Sequence, residues 1–351
     1  MRRIWLALTA SGLLFLLTPV HADDLVYARF GEYLESLRQQ AGIPGLSAAI
    51  VGRTGVVWER ATGYADVGRS VPMFMDTPVH IDGMTEAFSA TLVLNCVEQG
   101  RLYLDDQVGK FQTGLSEPGA TLRQVLTHTT GPADAASYAF RPERLGPVRA
   151  AVRSCTTDSY RETLASIFDR FAMIASVPGP DVATLVPPAE GVLTSEFERY
   201  NRVMARMATP YAVDSSRRAT PVQYAEKTLS PSGGIISTAR DLVQFDLSIK
   251  NDLLVTAELL AAAWRPPVSP NGQRLPHGIG WFVQTYNGEP VIWQYGMGDP
   301  GSSSLLIILP TRSLTLILLA NSNGLVKSFN LSAGDLNTSP FGRLFLGAFI
   351  R

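Results

Sequence analysis

The sequence predicts a mixed α+β fold, in which an antiparallel sheet built from both chain ends is flanked by helices and lies beside a mostly helical subdomain. Three observations predict it. Short apolar runs bounded by Gly, Pro, Asn and Ser recur near both ends of the chain. The stretch from Thr121 to about Met207 reads as polar and helical. Between them, Thr85 to Gln99 is apolar on nearly every side, the pattern of a buried helix.

The elements follow in order. Met1-Arg-Arg3, the apolar run Ile4 to Leu17, and the small-residue site Val20-His-Ala22 read as a signal peptide over 1–22. That run falls short of the roughly 20 residues a spanning helix needs, so no membrane span is expected in the mature chain. Tyr27 to Ala41 reads as an amphipathic helix with Phe30, Tyr33, Leu34 and Leu37 at helical spacing. Gly45 to Gly63 reads as a hairpin around Gly52-Arg-Thr-Gly55. Gly100 ends the buried helix, and a proline-rich loop follows around Val177 to Pro188. Strands return at Gly280–Tyr286, Pro290–Tyr295, Ser303–Pro310 and Leu314–Asn321, and Ser339 to Ile350 reads as a closing helix. The domain expected is 23–351, with its sheet part at about 23–80 and 230–351 and its helical part at about 81–229.

Composition narrows the partners. The formal net charge is −1, no run of basic residues occurs, and nucleic acid is excluded as a partner. The leader places the protein in the periplasm or outside the cell. Cys96 and Cys155 are the only cysteines. In an oxidising compartment they can pair, and buried free thiols are the other reading.

Four segments, from Ile81-Asp-Gly-Met-Thr-Glu-Ala-Phe-Ser-Ala90 to Gly278-Ile-Gly-Trp-Phe-Val283, resemble in order those of the serine β-lactamase and penicillin-binding-protein family, which includes class C β-lactamases, DD-peptidases and esterases. The segment Ile81-Asp-Gly-Met-Thr-Glu-Ala-Phe-Ser-Ala90 is similar to the one carrying Ser-x-x-Lys. Leu122-Arg-Gln-Val-Leu-Thr-His-Thr-Thr-Gly131, Ser232-Gly-Gly-Ile-Ile-Ser-Thr-Ala-Arg-Asp-Leu242 and Gly278-Ile-Gly-Trp-Phe-Val283 match further family segments in the right order. Such a run of matches implies the fold before it implies the reaction.

The resemblance implies acyl transfer on a serine, with a lysine and a tyrosine sharing the proton work and two backbone N–H groups holding the oxyanion. Carried onto this chain, the nucleophile falls on Gly83 and the lysine on Glu86. Tyr-x-Asn falls on Tyr138 and Phe140, and Lys/His-x-Gly on Gln294 and Gly296. The oxyanion donors are expected at the backbone of Gly83 and Met297. Glycine has nothing to acylate, a carboxylate cannot replace the amine, and glutamine takes up no proton. Ser-x-x-Lys and Gly-x-Ser-x-Gly occur nowhere in the chain.

The ordinary reading of the altered motif is a helix start. Asp82 or Gly83 would be its N-cap, with Glu86 favoured in the first turn. His80, His128 and His277 read as surface or hydrogen-bonded core histidines, and along the sequence no His, Cys or acidic cluster has metal-ligand spacing. No cofactor is expected. Two functions remain: a non-catalytic pseudoenzyme that binds a cell-wall peptide or an envelope protein, and an active hydrolase of amide or ester bonds working through Tyr138, Thr85 or Glu86 and water.

Overall fold

The computed structural model describes residues 22–132, 134–185 and 192–350. The expected leader lies outside these residues except for Ala22, as does the end of the proline-rich loop. Seven antiparallel strands form the main sheet, in the order Phe282–Tyr286, Glu289–Gly298, Ser302–Leu309, Leu314–Ala320, Gly45–Val51, Val56–Asp66, Val71–Pro72. The last strand of the C-terminal group therefore pairs with the first N-terminal strand, in the register Ala48↔Leu318.

Period-two alternation explains why this sheet sits in the middle of the molecule. Leu46, Ala48, Ile50, Leu305, Ile307, Leu316 and Leu318 point to one face, where they meet the terminal helices Ala22–Gln40 and Pro340–Phe349. Ala49, Val51, Leu306, Ile308, Ile317 and Leu319 point to the other, toward the helices Thr85–Glu98 and Ala239–Lys250. A sheet covered on both sides needs apolar residues at consecutive positions, which is what these strands carry.

The helix starts are locally encoded. Thr121 with Gln124, and Ser159 with Glu162, form capping boxes, while Thr238 and Ser339 cap the helices that follow them. The expected cap at Asp82 or Gly83 is not made. Asp82–Met84 form a single 3-10 turn, the helix Thr85–Glu98 follows it directly, and the Asp82 carboxylate instead accepts a hydrogen bond from Ser302 Oγ at 2.7 Å. Asp82 is drawn away because it is buried and a hydroxyl donor on the adjacent strand reaches it.

Cys96 and Cys155 are joined in a disulfide, Cα–Cα 6.0 Å, which ties the buried helix to the helix Val148–Thr156. Among the described residues no helix is long and apolar enough to cross a membrane.

Candidate functional site

The site is built where the Asp82–Met84 turn meets the strand Glu289–Gly298. Gly83 lies against this strand: a Cβ placed on it would come 3.0 Å from the Tyr295 carbonyl oxygen and 3.7 Å from Gly296 Cα. The backbone at Gly83 thus lies against the strand at Tyr295 and Gly296. Gly296 is itself buried against the Ile81 carbonyl, to which Ser304 Oγ also donates at 2.8 Å. The Met297 side chain is exposed.

Glu86 lies in the first turn of the helix Thr85–Glu98, as expected, and is buried. Its Oε1 accepts a 2.8 Å hydrogen bond from His128 Nε2 and lies 3.7 Å from His277 Nε2. Two local devices bring the histidines there. His128 has φ +52, a left-handed conformation that turns its ring off the chain direction at the end of the helix Leu122–Leu126. His277 stands just before a tight turn that presses on the buried helix. A Cβ on Gly280, at φ +72, would come 2.1 Å from Ala90 Cβ, so only glycine permits that approach.

The tautomers follow from the remaining contacts. The Arg141 N–H donates to His128 Nδ1 at 3.1 Å, which leaves Nε2 as the protonated nitrogen facing Glu86 in a neutral ring. His277 Nδ1 donates to the Gly278 carbonyl at 2.7 Å, and its Nε2 has no hydrogen-bond partner. Burial pushes His277 down to about 3, so it is neutral at ordinary pH. Burial also opposes the charge on Glu86, but the His128 N–H that faces it holds the carboxyl below its usual range.

The other aligned residues are engaged as well. Tyr138 pairs with Thr129 in a short antiparallel ladder and donates its hydroxyl to the Ser332 carbonyl at 2.8 Å. Burial raises its pKa far above the ordinary tyrosine value. Phe140 packs on His128 with ring centroids 4.5 Å apart and on Phe282 at 5.6 Å. Gln294 is buried, donating to the Gly280 carbonyl at 3.1 Å and accepting from the Tyr295 N–H at 2.9 Å. Thr85 is buried and accepts from the Ile235 N–H.

Sequence spacing separated Glu86, His128 and His277, whereas the fold gathers their ligating atoms within 4.8 Å of one another. Reading the histidines singly missed this. The available signal was chemical, since a buried carboxylate needs a donor or a cation, and the described residues hold only three histidines to supply one.

The family model described as Beta-lactamase matches residues 30–167 and 183–334. Over 297 residues the chain is 23% identical to Penicillin-binding protein 4* of Bacillus subtilis (strain 168), covering 76% of this chain and 65% of that protein. Over 309 residues it is 23% identical to Protein flp of Staphylococcus aureus (strain MW2), covering 81% and 61%. The chain thus spans less than two thirds of the length of these curated relatives. Among solved structures, an octameric penicillin-binding protein homologue from Pyrococcus abyssi matches with TM-score 0.70 at 19% identity, covering 91% of this chain and 77% of that one. A penicillin binding protein from Bacillus halodurans matches with TM-score 0.66 at 16% identity, covering 83% and 95%. These likenesses extend over both the sheet and the helices around it.

Proposed function

The chain belongs to the beta-lactamase family, and from that premise we propose that it is a catalytically inactive member, a pseudoenzyme of the cell envelope that binds a ligand or partner. One observation carries this reading: in the segment that resembles the family's Ser-x-x-Lys, where Gly83 and Glu86 take the places of serine and lysine, the Glu86 carboxylate is buried in a hydrogen bond with His128. An acyl-transferase needs a hydroxyl and a group that takes its proton within reach of each other. Of the nearby hydroxyls, Tyr138 donates to the Ser332 carbonyl, and Thr85 is buried and accepts from the Ile235 N–H. The close approach of the Tyr295 carbonyl to Gly83 also favours a site settled around glycine.

Backbone N–H groups are unaffected by loss of side chains, so those of Gly83 and Met297 are the groups that would hold a ligand carbonyl, from a cell-wall peptide or an envelope protein. The apolar leader and the Cys96–Cys155 bridge support a periplasmic or secreted location. Intact-mass measurement after incubation with excess benzylpenicillin tests the reading, with no adduct expected and no nitrocefin turnover. A stoichiometric mass increase on a residue of this site refutes it. Thermal-shift screening of D-amino-acid peptides with free and amidated C-termini then tests the ligand, and the amidated forms are expected to bind tighter because no lysine remains to hold a carboxylate.

A further inference from the structure

We propose that Glu86, His128 and His277 form a binding site for one divalent transition ion of the zinc class, a site that goes beyond the pseudoenzyme reading and does not depend on it. Three observations support the site. The ligating atoms, Glu86 Oε1 and the Nε2 atoms of the two histidines, lie within 4.8 Å of one another, with Glu86 Oε1 2.8 Å from one nitrogen and 3.7 Å from the other. A triangle of these dimensions puts its centre within about 2.4 Å of each atom, a few tenths of an ångström beyond zinc bond lengths of about 2.0–2.2 Å. All three side chains are buried, and they come from three separate segments of the chain.

The second observation is the state of His277. Its Nδ1–H is fixed on the Gly278 carbonyl, which leaves an unshared electron pair on Nε2, 3.7 Å from Glu86 Oε1. Two electron-rich atoms facing each other in a dry interior, with the nitrogen unpartnered, is an unfavourable arrangement that a cation between them relieves. A histidine with one nitrogen on a backbone carbonyl and the other free is also the usual arrangement of a metal ligand.

Third, the donor set selects the ion. Two imidazoles and one carboxylate suit zinc, cobalt or nickel, whereas calcium and magnesium take oxygen donors. With three protein donors a fourth position is left for water or a small anion. For the ion to bind His128 Nε2 in a neutral ring, the proton there moves to Nδ1, and the Arg141 N–H then gives up its 3.1 Å contact with that nitrogen. That lost hydrogen bond makes the site weaker than one in which both histidines are oriented for the ion from the outset.

The test uses the untagged chain, stripped with a chelator and titrated by calorimetry with zinc or cobalt. Expected results are one ion per chain and the visible absorption of four-coordinate cobalt. His277→Phe keeps the ring packing against Phe282 and His128 but removes the ligand. Glu86→Gln keeps a hydrogen-bond acceptor for His128. Each is expected to weaken binding by about a hundredfold or more, while His80→Gln, away from the cluster, leaves it unchanged. Near-ultraviolet circular dichroism of the stripped variants checks that they fold. If either does not, the cobalt spectrum of the wild type carries the test. A wild type that takes up no stoichiometric ion, or folded variants that bind as tightly as it does, overturns the proposal. Penicillin labelling reads the pseudoenzyme question separately.

Discussion

Glu86 Oε1 and His128 Nε2 are 2.8 Å apart with both side chains closed off from solvent. Breaking such a pair from the Glu86 side leaves the His128 N–H buried without a partner, which costs about 1–3 kcal/mol. Glu86→Ala is therefore expected to destabilise the protein by that amount in denaturant unfolding at neutral pH. Glu86→Gln, which still accepts from His128, should lose clearly less. Equal losses for the two variants would mean that the hydrogen bond contributes nothing.

Restoring the family pair should not restore the family reaction. In Gly83→Ser with Glu86→Lys, the serine Cβ meets the Tyr295 carbonyl at 3.0 Å, and a buried ammonium faces two histidines without a carboxylate. The double variant is expected to be less stable than wild type by several kcal/mol, about 3–5 from the unpaired charge alone. Nitrocefin hydrolysis should stay at background, because Phe140 and Gln294 still lack the family's polar groups. Measuring both quantities on one preparation checks the pair, and family-like turnover would show that Gly83 and Glu86 alone had silenced the site.

A pH signature is expected from Asp82. Burial pushes its carboxyl up to about 7, helped by the nearby Glu226 and opposed by hydrogen bonds from Ser302 and the Gly298 N–H. The folded state therefore holds this proton more tightly than the unfolded chain, whose carboxyl titrates near 3.8. Its contribution to stability is complete below that value and is lost as the pH rises toward about 7. Asp82→Asn carries no such proton. The stability of wild type relative to Asp82→Asn should fall, by on the order of 2–4 kcal/mol, between pH 4 and pH 8. Urea unfolding of both proteins across that range gives the difference directly, and a flat difference would place the Asp82 carboxyl in its ordinary range.

The disulfide closes a long loop between two helices packed on each other, with a sequence separation of 59. Replacing both cysteines by alanine should lower stability by about 2–4 kcal/mol, most of it through a less restricted unfolded chain. Thermal and denaturant unfolding of the double variant, compared with wild type in the presence and absence of reductant, checks this.

Tyr138→Phe separates a structural hydroxyl from a catalytic one. The variant leaves the Ser332 carbonyl without its 2.8 Å partner and should cost about 1 kcal/mol. No change in any hydrolytic background is expected. A hydrolytic activity that disappears with this hydroxyl would return the tyrosine to a chemical role.

Most of the fold was legible because its signals are local. The hairpin Gly45–Gly63, the four C-terminal strands and the buried helix were each marked by apolar period and by turn residues, and the observed bounds differ by a few residues. Consecutive apolar residues in Ser302–Leu309 and Leu314–Ala320 also encode burial on both faces, which places these strands at the centre of the sheet. The order of matching family segments is what led to the reading of Gly83, Glu86, Tyr138, Phe140, Gln294 and Gly296 as the aligned site positions.

Side-chain partnership was left to the tertiary structure. Whether Cys96 meets Cys155 depends on how two helices pack, because spacing along the chain carries no distance between them. Asp82 looked like a helix cap, and it became the buried acceptor of Ser302, 220 residues away, because a donor on an adjacent strand competes with the free N–H groups of a helix end. The sequence by itself determined that Gly83 and Glu86 cannot perform serine acyl transfer, since that follows from what the side chains contain. Only the tertiary structure decided what Glu86 does instead, because its hydrogen bond, its protonation and its neighbours His128 and His277 are set by burial among segments that the chain order keeps far apart.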